Sequence, residues 1–68
     1  MALTVEVEQE VDGRWLAEVP ELPGVLAYGQ NRVEAVSRAE VLALRVLADR
    51  IEAGEPAPQA GGVFPVSP

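Results

Sequence analysis

A chain of 68 residues builds at most one domain with a small core. Because it contains neither cysteine nor histidine, disulfides, thiolate nucleophiles and the commonest general base and zinc ligand are excluded. Eleven acidic and five basic residues give a formal charge of −6, which disfavours direct binding to nucleic acid. This charge either suits a basic protein partner or only keeps a small domain soluble. Small domains without covalent or metal staples often associate, so we expect a homo-oligomer.

The sequence carries no recognisable targeting signal. Residues 1–4 lack a charged region followed by a long apolar run, and no apolar stretch approaches the length of a membrane span. We therefore expect a cytoplasmic protein without a membrane segment. The lysine-free composition, rich in Ala, Val, Glu, Arg and Pro, is typical of a high-GC bacterial genome.

Residues 3–11 alternate between apolar and polar side chains, which predicts a half-buried strand with an acidic outer face. Residues 14–19 alternate in the same way and predict a second strand. A two-residue Asp12-Gly13 loop would put the apolar sides of these strands on opposite faces of the sheet. We therefore predict a three-residue loop, with Gly13 in the left-handed conformation and Glu10 paired with Arg14.

A rigid corner follows the second strand. Pro20 and Pro23 each fix φ and remove a backbone donor, and Gly24 permits a sharp bend. The corner is short enough for an antiparallel return, so residues 25–29 are predicted as a third strand. The helix begins after Asn31, an N-cap residue whose partner in a capping box is Glu34.

The predicted helix runs to about residue 53, where Gly54 ends it. Its main apolar face is Val33, Val36, Ala39, Ala43, Leu47 and Ile51, with Ala35, Leu42 and Val46 on one flank and Leu44 on the other. This apolar sector spans roughly 200° of the helical wheel, wider than the ~100° of a typical surface helix. The opposite, polar face carries Arg38, Arg45, Asp49 and Glu52. Three strands cover one side only, so we predict a second partner surface, with Ala39 and Ala43 permitting close approach of another element. The alternative is that the C-terminal segment folds back over the helix. The predicted interface residues are Leu42, Leu44, Val46, Trp15 and Tyr28.

Residues 55–68 read as a Pro/Gly-rich tail after a domain of residues 1–54. The apolar segment 63–66 is either a fourth, edge strand or disordered, and its exposed apolar character favours the strand. The predicted fold is thus α+β, with a three-stranded antiparallel sheet, one helix and this optional fourth strand.

Chemistry-bearing residues are few. Glu6, Glu8 and Glu10 stand at two-residue spacing, a pattern that serves acid–base catalysis or metal binding but more often forms a solvated acidic face. Ser37 and Ser67 have no base in a recognisable pattern, and no glycine-rich phosphate loop precedes a helix. We predict no enzyme activity, no cofactor and no metal site.

Residues 12–24, with the sequence DGRWLAEVPELPG, resemble the core of HicB-type antitoxins. Gly29, Asn31 and the pair Glu34-Ala35 follow at the family's spacing, and residues 54–58 resemble its segment after the helix. The resemblance implies a degenerate RNase H-like fold, often with a fourth strand. It also implies that the chain binds and neutralises a HicA-type toxin, a small basic RNase that cleaves mRNA.

The chain departs from the family pattern in two ways. Residues 54–68 are too few for the C-terminal DNA-binding domain of many members, so operator binding is not carried over. Val25 stands where the family often has cysteine, and Gln30 and Asn31 stand where it often has Asp and Thr. The alternative function is therefore an orphan homo-oligomeric module without a toxin. A hydrolase with a carboxylate-bound metal is a third, disfavoured hypothesis.

Overall fold

A computed structural model describes residues 3–54 and Ser67. Three strands and a helix follow one another: β1 (Glu6–Gln9), β2 (Trp15–Glu18), β3 (Leu26–Gly29) and α1 (Arg32–Glu52). The strands form an antiparallel sheet in the order β1-β2-β3, and α1 packs on one of its faces. The predicted α+β architecture is confirmed. The predicted edge strand and linker lie outside the described residues.

The first hairpin has the predicted register. Val7 lies opposite Ala17, so the apolar sides of β1 and β2 share the face that meets α1. The Gly13 N–H donates to the Glu10 carbonyl at 2.9 Å, and Gly13 has a φ of 92°. A left-handed residue at this position requires glycine in practice, since a side chain there is strained. The hydrophobic pattern, rather than the Asp-Gly dipeptide, decides the loop length.

The side chain of Arg14 does not form the predicted ion pair with Glu10. Its Nε lies 2.8 Å from Asp12 Oδ2, and its backbone N–H donates to Asp12 Oδ1 at 3.0 Å. Asp12 is two residues away along the chain and already fixed by the turn, so it competes successfully for the guanidinium. These hydrogen bonds, with the backbone one from Arg14 first, lower the pKa of Asp12 from its ordinary value.

The corner between β2 and β3 consists of two consecutive β-turns. Leu22 N–H donates to the Val19 carbonyl, and Val25 N–H donates to the Leu22 carbonyl, both at 3.0 Å. Each turn has a proline at its second position, and Gly24 occupies the third position of the second turn with a φ of 90°. This is the type II arrangement, which requires glycine at that place. The two turns share Leu22 and direct its side chain into the core, where it is fully buried.

Helix α1 begins and ends as predicted. Asn31 Oδ1 accepts the Glu34 N–H at 2.8 Å, as an N-cap does. Glu34 Oε1 accepts the Gln30 N–H at 2.9 Å, one residue before the position used in a standard capping box. At the other end Gly54 has a φ of 76° and donates its N–H to the Ile51 carbonyl at 3.1 Å. Local hydrogen bonds thus cap both ends of the helix.

The face that α1 buries is not centred where the apolar pattern predicted. Val33 and Ile51 were predicted on the main apolar face, yet their side chains are 72% and 56% exposed. The buried line is Ala35, Ala39, Ala43 and Leu47, of which the last three were predicted on that face and Ala35 on its flank. Alanines allow the helix to approach the sheet closely, so Ala39 and Ala43 contact the chain's own core rather than a partner.

Length also limits what the sheet can cover. A helix of 21 residues is about 31 Å long, whereas a four-residue strand spans about 13 Å. The C-terminal end of α1 therefore extends past the strands, which explains why Ile51 stays exposed. Val33 is exposed because it points about 200° away from Ala35, which packs on Gly29 of β3.

The start of the chain is tied to the corner by Glu21. Thr4 N–H donates to Glu21 Oε1 at 3.1 Å, and this hydrogen bond lowers the pKa of Glu21 from its ordinary value. A carboxyl whose folded pKa lies below the unfolded value contributes stability above the unfolded pKa. That contribution is lost as the pH falls through the folded pKa.

We expect NMR titration of the Glu21 carboxyl to give a midpoint below that of the unfolded chain. The Thr4 amide resonance should shift with the same midpoint, because its proton lies in the hydrogen bond. In Glu21→Gln, the Thr4 amide should no longer titrate there. A Thr4 amide that keeps the same midpoint in this variant would contradict the contact.

Candidate interaction surfaces

The outer face of the sheet, opposite α1, carries a group of carboxylates that we call the acidic face: Glu6, Glu8 and Glu18. All three are exposed. Glu6 and Glu18 lie directly opposite each other across β1 and β2. Like charges in directly opposed positions destabilise a sheet. The acidic face is therefore unfavourable for the isolated domain, and a cationic partner would relieve it.

Apolar side chains adjoin the acidic face on the same side of the sheet. Leu16 and Tyr28 are paired across β2 and β3, and Leu26 is paired with Glu18. Tyr28 and Leu26 remain 39% and 44% exposed. The Arg14 guanidinium carbon lies 4.5 Å from the centre of the Tyr28 ring, within the range of a cation–π contact. An apolar centre beside charged groups is the pattern of a protein-binding surface.

An open groove of about 570 Å³ runs between the edge of β3 and α1, and we call it the β3-edge groove. Its apolar lining includes Val41 and Leu42, which are 47% and 38% exposed. Arg38 spans the groove at one end. Its Nη1 donates to the Tyr28 carbonyl at 3.0 Å and lies 3.3 Å from Glu34 Oε1. The full lining is Ala27, Tyr28, Ser37, Arg38, Val41, Leu42 and Arg45.

A smaller groove of about 160 Å³ lies on the opposite side of α1, towards β1. Leu44 forms one wall and is 58% exposed, and Leu3 and Val5 form the other. Glu40 also lines this groove, so a carboxylate stands beside the apolar side chains. The two grooves are separated by the width of the helix.

The structure divides the five predicted interface residues among three places. Tyr28 and Leu42 meet in the β3-edge groove, whereas Leu44 lies in the smaller groove. Val46 and Trp15 are half-buried and pack against the two core clusters. Of the five, only Tyr28 and Leu42 therefore share one surface.

Sequence reasoning missed Arg38 and Val41 as lining residues of the β3-edge groove. Arg38 stood on the predicted polar face of the helix, and Val41 belonged to no predicted apolar stripe. The spacing of Val41, Leu42 and Arg45 places them on one flank of the helix, and this was the sequence feature that could have indicated the groove. The orientation of α1 on the sheet is needed to show that this flank adjoins β3.

Within residues 3–54, no three carboxylates are grouped so that they could hold a metal ion. No helix in the part of the chain that the structure describes is both long and apolar enough to cross a lipid bilayer.

The fold and these surfaces define a small α+β domain with one acidic face and two apolar grooves. Comparison with protein-family models, with curated proteins and with solved structures finds no match to this chain. The resemblance to HicB-type antitoxins and to an RNase H-like core therefore stays a prediction that depends on the sequence motif.

Proposed function

We propose that this chain is a HicB-like antitoxin that binds and neutralises a HicA-type mRNA-cleaving toxin by protein–protein contact. The sequence motif of residues 12–24 supports the family, and its hairpin turn and double-turn corner have the local structure that the motif requires. The toxins of that family are small and basic, so the relevant surface should be acidic.

The observation that carries the proposal is the opposition of Glu6 and Glu18 on an exposed sheet face. No arginine among the described residues forms an ion pair with either carboxylate. A basic toxin placed here would replace like-charge repulsion by attraction. Leu16, Leu26 and Tyr28 beside the carboxylates supply the apolar area that a stable contact needs.

The test is co-purification of the full chain with a HicA-type toxin encoded in an adjacent reading frame, followed by a titration of the complex. We expect the double change Glu6→Gln and Glu18→Gln to weaken binding at low salt by at least tenfold. Removing two charges should lower the association rate most, because complementary charges steer the encounter.

The matched control is Asp49→Asn with Glu52→Gln, which removes the same charge from the exposed side of α1. This variant should bind within about twofold of the unmodified chain. Equal weakening by both variants would assign the effect to net charge alone. Binding that neither variant changes would place the toxin on another surface.

The second candidate is an orphan homo-oligomeric module, and the β3-edge groove favours it. The groove exposes Val41 and Leu42, which the proposed toxin contact does not use. An assembly of the full chain in solution, with no toxin-like reading frame beside its gene, would favour this candidate over the antitoxin.

A further inference from the structure

The two edges of the sheet differ in how they are protected against pairing. Side chains on the outer face of β1 are Glu6 and Glu8, whereas those on β3 are Leu26 and Tyr28. Charged residues on an edge strand discourage the addition of another strand. Pairing β1 with β1 of a second copy would bring four of these glutamates together. The β3 edge carries no such charge on its outer face.

The backbone of β3 also offers unpaired hydrogen-bonding groups. Val19 N–H donates to the Val25 carbonyl at 3.0 Å, which fixes the alternation of the β2–β3 ladder. Successive residues of a strand direct their N–H and C=O groups to opposite sides. Because those of Val25 and Ala27 point towards β2, those of Leu26 and Tyr28 point away from it. Of these four groups, the Tyr28 carbonyl accepts a hydrogen bond from Arg38, and the other three have no hydrogen-bond partner among residues 3–54.

We infer that β3 pairs with β3 of a second copy of this chain, antiparallel about a two-fold axis at Ala27. In this register Leu26 faces Tyr28 of the partner subunit, and the same pair recurs on the other side of the axis. Each pair exchanges two N–H···O bonds, which gives four in total. The Tyr28 carbonyl has two lone pairs and accepts the new bond beside Arg38. The result is a six-stranded sheet with both helices on one face.

Side-chain chemistry supports a second copy as the occupant. On the outer face, Leu16, Tyr28 and Leu26 of the partner subunit would form one apolar row across the joint. On the helix side, Val41 and Leu42 of each copy would close the β3-edge groove. Each ion pair at this edge is internally neutral, Arg38 with Glu34 and Arg14 with Asp12. Arg45 adds one cation to the groove in each copy, so the joint does not bring together the acidic residues that give the chain its net charge of −6.

The area that a dimer interface needs can be compared with the β3 edge and the β3-edge groove. A standard interface buries about 800 Å² on each partner, about one-sixth of the 4796 Å² that this chain exposes. A four-residue edge and one groove supply an interface at the small end of the range, so the dimer should dissociate on dilution. This inference rests on the second candidate function, and its outer row shares Leu16, Leu26 and Tyr28 with the proposed toxin contact.

The experiment is sedimentation velocity of the full chain over a wide concentration range, with two matched variants. Leu42→Lys adds a cation beside Arg38 and Arg45 in the β3-edge groove and should weaken dimerisation at least tenfold. Leu44→Lys makes the same change on the other flank of α1 and should leave dimerisation within about twofold. Circular dichroism of both variants establishes that the fold is retained.

Amide exchange identifies the surface directly. The amides of Leu26 and Tyr28 should exchange rapidly in dilute monomer and slow down as the dimer forms, in the unmodified chain and in Leu44→Lys. A dimer that Leu44→Lys dissociates, or one with unprotected Leu26 and Tyr28 amides, overturns the β3 pairing but leaves the oligomeric module. A monomer at all concentrations overturns both. If the Leu26 and Tyr28 amides are protected in such a monomer, the occupant of the β3 edge is the chain's own segment 55–68 and not a second copy.

Discussion

Gly29→Ala is expected to destabilise the domain by about 3 kcal/mol or more, the upper end of the cost of overpacking. A β-carbon at Gly29 would overlap the backbone N of Ala35 and lie 2.9 Å from its Cα. The obstacle is the backbone of the first turn of α1, which cannot move aside as a flexible side chain does. The helix would have to shift away from β3 along the line of alanines that it buries. Urea denaturation at 25 °C measures the loss.

The control for Gly29 is Gly13→Ala. Gly13 has a φ of 92°, and a β-carbon there meets no atom within 4 Å. The only cost is the left-handed conformation, about 1–2 kcal/mol for a residue with a side chain. A larger loss at Gly13 than at Gly29 would mean that the helix does not approach β3 as closely as described.

Leu22→Ala is expected to cost about 3 kcal/mol, within the range for deleting a buried leucine side chain. Leu22 is the largest fully buried side chain of the domain, and it packs with Val19, Val25 and Leu47. Because the two turns of the corner hold its backbone by hydrogen bonds, the site should relax little around the cavity. The denaturation midpoint should fall while its slope stays unchanged.

The control for Leu22 is Leu44→Ala, the same deletion at a side chain that is 58% exposed. This change should alter the free energy of unfolding by less than about 0.5 kcal/mol at a concentration where the chain is monomeric. Equal decreases in the free energy of unfolding for the two variants would contradict the burial of Leu22 in the core and the exposure of Leu44 on the flank of α1.

The hairpin and the helix ends could be predicted from the sequence because local rules determine them. The alternation of Val5 and Val7 with glutamates excludes a one-residue slip, which would move both valines to the outer face, so the three-residue loop is favoured over the two-residue loop. Asn31 and Gly54 act through hydrogen bonds within a few residues of themselves. In such cases the nearby sequence contains all the interacting groups.

The orientation of α1 could not be predicted in the same way. A helical wheel weighs Val33 and Ile51 above alanine, but the packing here favours small side chains that let helix and sheet approach closely. Gly29 belongs to the same contact, since its missing side chain makes room for Ala35. The sequence shows the small residues, but their role depends on a tertiary contact between two elements.

Leu42 and Leu44 were placed on opposite flanks of the apolar sector, and in the structure they line different grooves. They cannot share one surface, because residues two apart in a helix point about 200° apart around its axis. The exposed glutamates of β1 and β2 were predicted correctly because strand alternation alone places them.

The length of α1 has a consequence for how the domain opens. Leu47 is the last buried residue of the helix, and the turns from Ala48 to Glu52 are held by their own hydrogen bonds and the Gly54 cap. Local melting of these turns exposes almost no apolar surface, so it costs far less than disrupting the core. We therefore expect the last turns of α1 to open more often than the core, while the sheet stays unchanged.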